Sequence, residues 1–262
     1  MSEAAGTLDW VLRRDRRVAI AALAAVVVLA WAYLLLGAGM DMDAAMAGAA
    51  MAMPMPWSAG QAVLMALMWV LMMVAMMLPS AAPVVLLHAT VSRRSDPARG
   101  GGRILPFALG YVAVWGAFAL VATAAQWGLE RAALLTPGMA LGSAVAASVV
   151  FIGAGIYQLT PLKHACLEHC RSPVEYLAAH WRPGARGAFV MGAHHGAYCL
   201  GCCWALMALL FVGGVMNLAW IAGIALLVLV EKLLPGGHAV GRVLGLGLIA
   251  WGIAGLVGLA IA

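Results

Sequence analysis

Residues 194–204 read HHGAYCLGCCW and lie inside an apolar run with the length of a membrane-spanning helix. Two imidazoles and three thiols raise the cost of insertion there, which Leu or Val would lower. At 100° per residue, His195, Cys199 and Cys202 fall within about 60° of one another, and Cys203 widens the stripe. Cys199 and Cys203, four apart, hold their Cβ atoms roughly 5–6 Å apart, a spacing that suits two thiolates closing on one ion. His195 and Cys202 lie ~10 Å apart along the axis, too far for one mononuclear site on a straight helix. Gly196 and Gly201 allow a bend or a close partner helix. The competing reading is packing of small, polarizable residues in a Gly-rich interface.

A second cluster is TPLKHACLEHCRSP, residues 160–173, bracketed by Pro161 and Pro173. Cys166 and Cys170 share a helix face and His169 follows three after Cys166. Thiols and imidazoles at this spacing suit Zn(II), Cu(I) or an iron–sulfur cluster, and a solvated loop helix explains them as well. The four-residue cysteine spacing recurs at Cys199 and Cys203, so the two pairs can build one four-sulfur site. Depth opposes this: Cys199 lies ~18 Å along its helix from Gly187, whereas 161–181 reads as a connection at the cytoplasmic boundary. Either that stretch folds back into the bundle or the pairs are separate stations.

The third feature is a methionine ladder, QAVLMALMWVLMMVAMMLPS at 61–80, in which Met68, Met72 and Met76 are spaced by four beside a row of Trp69, Met73 and Met77. Thioethers select Cu(I) over hard cations, although methionine also fills gaps in apolar cores. Six further methionines, Met40, Met42, Met46, Met51, Met53 and Met55, occupy the connection 37–57, where burial offers them little. His88, beyond Pro79 and Pro83, is placed to join the Cys/His cluster or to cap and solvate the helix end. Glu231 and Lys232, before Pro235, read as a boundary ion pair that snorkels. His180 and Trp181 read as an interfacial anchor.

The elements that must position these groups are membrane helices. Of 262 residues 65% are hydrophobic and 10% charged, against about 25% charged in soluble domains. A span needs about 20 apolar residues, and seven segments qualify: 18–37, 58–78, 104–127, 138–160, 187–212, 216–234 and 240–261. The second is expected to continue past both prolines, kinked rather than stopped. The expected fold is an all-α polytopic bundle of about seven spans. Residues 1–57 form an anchor helix and an external Met-rich loop, and residues 58–262 a six-helix core. Net charge is +5, but the basic residues sit in alternate connections (Arg13–Arg17, Arg93–Arg103, Lys163–Arg186). That is the positive-inside pattern, and it excludes a nucleic-acid reading. It predicts a multi-pass membrane protein with a cytoplasmic N-terminus. No P-loop, dinucleotide fingerprint or HExxH is present. Five cysteines, an odd number confined to 166–170 and 199–203, do not read as a disulfide framework.

The stretches Trp69–Ser80, Tyr157–Pro173 and Met191–Asn217 together resemble a bacterial family of unknown function, described as predicted metal-binding integral membrane proteins. The resemblance covers most of the chain from about Trp57 onward. It implies metal binding in a membrane bundle, with Cys166, Cys170, His195, Cys199, Cys202 and Cys203 as ligands; His194 precedes His195 and competes with it. The leading expectation is a protein that handles or transports Cu(I), with Met72, Met76, His88, His169 and His194 assisting and a metallochaperone or membrane partner receiving the ion. The alternative is a membrane oxidoreductase or cofactor protein using the same ligands for haem, iron–sulfur or thiol redox. A structural zinc site is a third reading.

Overall fold

The computed structural model describes residues 2–36, 57–95, 104–136 and 138–261, with side chains from Arg17 onward. The methionine-rich connection and most of the basic loop 92–103 lie outside the described residues. Among the described residues the chain is helical, without a strand; Leu135 and Leu141 pair antiparallel within one turn. The helices run α1 (Ser2–Leu35), α2 (Ala59–Ser95), α3 (Ile104–Arg131), α4 (Ala144–Gln158), α5 (Pro161–Arg171), α6 (Pro173–His180), α7 (Gly184–Ala208), α8 (Leu210–Gly213), α9 (Leu218–Leu233) and α10 (Gly237–Ile261).

Among the described residues five helices, α1 (from Arg17), α2, α3, α7 with α8, and α10, are long and apolar enough to cross a membrane. A sixth span results if α4 and α5, bent by 64° at their junction, count as one. The expected count of about seven is therefore not reached by length. At 1.5 Å per residue, the 15 residues of α4 and the 16 of α9 cover roughly 22–24 Å, less than a hydrocarbon core of about 30 Å. Local chemistry sets both limits. Asn217 starts α9 by accepting from the Trp220 amide at 3.1 Å, and Pro235 follows its end. Thr160 caps α5 by accepting from the Lys163 amide at 3.3 Å, and Pro161 at the first position fits a helix start.

α2 is the central helix and remains helical through Pro79 and Pro83 to Ser95. Each proline lacks the amide that a carbonyl one turn back would receive. Beside them the Met77 carbonyl collects the Ser80 hydroxyl at 2.8 Å and the Tyr111 hydroxyl at 3.0 Å. Met65, Met68, Trp69, Met72, Met73, Met76 and Met77 are all buried, so this helix presents little surface to the outside. The outer helices do the opposite: Val28, Leu29, Leu120, Val121, Val243 and Trp251 point outward and exposed, a continuous apolar coat that a soluble monomer does not carry.

The helices α3 and α7 pack backbone against backbone, and glycine makes this possible. A Cβ on Gly192 would run into the Phe107 carbonyl, and one on Gly110 into the Phe189 carbonyl; small residues let membrane helices approach to backbone contact. This contact sets Tyr111 of α3 against Cys199 of α7.

Candidate metal site

The 64° bend after Gln158 turns α5 back against α7, so that one face of residues 161–171, with Lys163 and Leu167 buried, packs on the bundle while Pro161, Leu162, Ala165 and Glu168 stay exposed. Gly201 provides the seat: a Cβ there would stand 2.7 Å from Cys166 Sγ. Lys163, 1% exposed, locks the arrangement by donating to both carboxylate oxygens of Glu231 on α9 at 2.8 Å. Gln158 Nε2 donates to the same carboxylate at 2.8 Å, and Arg171 Nη1 donates to the Glu231 carbonyl.

This docking brings the two cysteine motifs together. Cys170 Sγ lies 3.9 Å from Cys202 Sγ. Cys199 has the thiols of Cys170 and Cys203 as near neighbours. Cys202 and Cys203 both turn their thiols to the Cys199 carbonyl, at 3.1 and 2.8 Å. Cys203 Sγ also reaches the Met77 thioether at 3.8 Å. Four thiols from two helices and one thioether from a third thus share a buried space. Cys166 faces Gly201 instead, at the edge of this group.

Three polar residues complete the surroundings. Tyr111 OH lies 2.9 Å from Cys199 Sγ. Lys232 Nζ donates to Cys199 Sγ at 2.8 Å and to Ser80 Oγ at 3.2 Å, with the side chain 5% exposed. The expected boundary pair is overturned here: Glu231 and Lys232 face different partners, both are buried, and neither snorkels. Neighbours on a helix point about 100° apart, so one serves Lys163 and the other the thiols.

The histidines separate into two environments. His195, 2% exposed, stacks at 6.0 Å on Tyr111 and contacts Tyr176 at 5.1 Å, and its Nδ1 has no hydrogen-bond partner. It is the imidazole on the thiol side. His194 turns the other way, 4.7 Å from the rings of His180 and Tyr198. His169 stacks on Tyr198 at 4.1 Å. A cavity of about 440 Å³, lined by Glu168, His169, Glu175, Tyr176 and His180 among others, opens beside these rings. Burial pushes the Tyr176 hydroxyl above the ordinary phenol range. It therefore stays protonated and donates to the Met191 carbonyl at 2.6 Å, between cavity and His195. His180 belongs to this aromatic group as well, stacked on Tyr176 at 5.0 Å. His88 is elsewhere, stacked on Phe107 at 4.6 Å with Ser92 Oγ 3.3 Å from its Nε2. Met72 and Met76 are buried in the core, but it is Met77, from the adjoining row, that touches the thiols.

Residues 66–255, well over half of the chain and including every one of these groups, match the family profile PpoB2, described as a copper chaperone. The chain belongs to the PpoB2 copper-chaperone family. No curated protein and no solved structure matches it. The membership is consistent with copper and does not favour the oxidoreductase alternative.

A PpoB2 copper site has to be built from soft donors, and the donor set here fits: thiols and a thioether are the ligands Cu(I) selects. Among the described residues no three His, Cys, Asp or Glu side chains already converge on one point. Cys202 and Cys203 must turn away from the Cys199 carbonyl before they can bind. Sequence reasoning missed Tyr111 and Lys232. A lysine near a helix end is ordinary in sequence, and only the crossing of α9 with α7 shows what it faces.

Proposed function

We propose that this chain is a bacterial inner-membrane protein, N-terminus cytoplasmic, that binds Cu(I) at Cys170, Cys199, Cys202 and Cys203 and passes it to a partner. The observation that carries this reading is the 3.9 Å approach of Cys170 Sγ to Cys202 Sγ, which joins the two cysteine motifs across separate helices. Cu(I) held by two thiolates bears a net negative charge, and Lys232 stands where that charge would be offset. The Met77 thioether links the site to the methionines of α2, weaker neutral donors suited to delivering an ion that the thiols hold more tightly. Met72 and Met76 belong to that path, and the loop methionines at 40–55 to its collecting end. His195 supplies an imidazole beside the thiols, while His169 lines the cavity through which a copper partner is reached and His194 stands behind its wall, against His180. Cys166 and His88 are peripheral, positioning α5 and the end of α2.

The test is elemental analysis of the purified protein, reduced and kept anaerobic, beside Cys199→Ser/Cys203→Ser. Copper near one equivalent in the wild type, lost in the variant and without a visible band, is the expected result. Iron with visible absorbance would transfer the site to the oxidoreductase reading, and metal-free protein after Cu(I) loading would end the copper reading.

A further inference from the structure

Near the start of α2, away from the thiols that meet its middle at Met77, lies a cluster outside the site described above. Gln126 of α3 is fully buried. The Trp69 indole donates to its Oε1 at 2.7 Å; an indole N–H only donates, so the amide is fixed with its NH2 turned the other way. Around that one nitrogen stand three acceptors: Glu130 Oε1 at 2.8 Å, Met139 Sδ at 3.3 Å and Met65 Sδ at 3.7 Å. An amide has two N–H groups for three acceptors, so lone pairs exceed protons. The Trp57 indole holds the other Glu130 oxygen at 2.6 Å.

The surrounding backbone is built to keep Met139 there. Its φ is +56°, a left-handed conformation that a residue bearing a side chain adopts only at a cost. The turn is pinned nonetheless: the Met139 amide donates to the Thr136 carbonyl at 2.8 Å, and its carbonyl accepts from Val215 at 3.3 Å. Phe211 closes over Trp69 at 5.3 Å.

We propose that Met65 Sδ, Met139 Sδ and the Glu130 carboxylate form a second binding site for Cu(I), near the start of α2 and away from the thiols at its middle. The inference rests on the copper reading and adds a station to it. A monovalent soft ion takes the place that the Gln126 amide now fills between the acceptors. Two thioethers select Cu(I) over hard cations, and one half-buried carboxylate neutralises its charge. Met65 and Met77 are twelve residues apart on α2, ~18 Å along the axis, so this site is distinct from the thiols. Lacking thiolates, it binds more weakly than they do.

The experiment uses the full chain in lipid nanodiscs with 13C-labelled methionine methyls, titrated anaerobically with Cu(I) from its acetonitrile complex. Met65→Leu and Met139→Leu assign the two signals, and copper is counted after desalting. Expected is a joint shift of the Met65 and Met139 methyls in the wild type after the thiols fill, and about one equivalent less copper in the double variant. Unmoved Met65 and Met139 methyls, with copper that still depends on Cys199 and Cys203, would overturn this site and leave the proposed function intact. Wild type that takes up no copper would overturn both. The methyl shifts are read on the wild type, so misfolding of the double variant does not decide the outcome.

Discussion

Lys232→Met removes the ammonium and keeps most of the stem. Nζ lies 2.8 Å from Cys199 Sγ, and an ion bound to that sulfur sits one further metal–sulfur bond away (roughly 2.3 Å for a zinc thiolate), which puts the charge centres about 4 Å apart. At an effective dielectric of about 20, opposite unit charges at that distance attract by about 4 kcal/mol. Spread of the negative charge over two sulfurs, and the ammonium's own lost hydration, reduce the net effect to about 2–3 kcal/mol. This corresponds to Cu(I) affinity weaker by about 30- to 140-fold. The assay is competition with a chromogenic Cu(I) chelator, anaerobic and at neutral pH, on purified wild type and variant. The metal-free variant should melt at or above the wild-type temperature, because replacing a buried charge with an apolar side chain is often neutral or stabilising. Copper should then raise its melting temperature less, as weaker binding of the folded state requires. Affinity within about threefold of wild type would refute the charge-offset argument, and with it the placement of copper beside Cys199.

Lys163→Met leaves Glu231 buried without its cation, a loss of about 3–5 kcal/mol for a broken buried pair; thermal unfolding should register it, and Cys170 should become faster to alkylate as α5 loosens. Cys170→Ser should lose copper while Cys166→Ser retains most of it, since Cys166 faces Gly201 and not the thiols; equal losses in elemental analysis would contradict that ranking. Gly201→Leu forces a side chain into Cys166 Sγ and should lift α5 off α7. Diamide should then cease to link Cys170 to Cys202, a crosslink expected in wild type from their 3.9 Å separation. Gly192→Ala drives a methyl into the Phe107 backbone and should lower the melting temperature and copper uptake together.

Composition and hydrophobic run length were enough to determine a helical, lipid-suited chain, because burying backbone in hydrocarbon leaves few alternatives to helix. The continuation of α2 beyond Pro79 and Pro83 was legible too, since the apolar run does not stop at either proline. So was the sharing of one helix face by Cys199, Cys202 and Cys203, which the 3.6-residue period dictates wherever the helix goes. The number of spans was not legible, because hydropathy measures an apolar run while Asn217, Thr160 and the flanking prolines decide how much of it is helix. Nor was the meeting of the cysteine motifs. Residues 161–171 have the composition of a boundary loop, and only the bend after Gln158, the missing side chain at Gly201 and the Lys163–Glu231 pair carry them inward. The same holds for Lys232, Tyr111, Gln126 and Met139. A side chain's type is local, but whether it faces water, lipid, a thiol or two thioethers depends on which helix crosses it. That crossing is a property of the packed bundle.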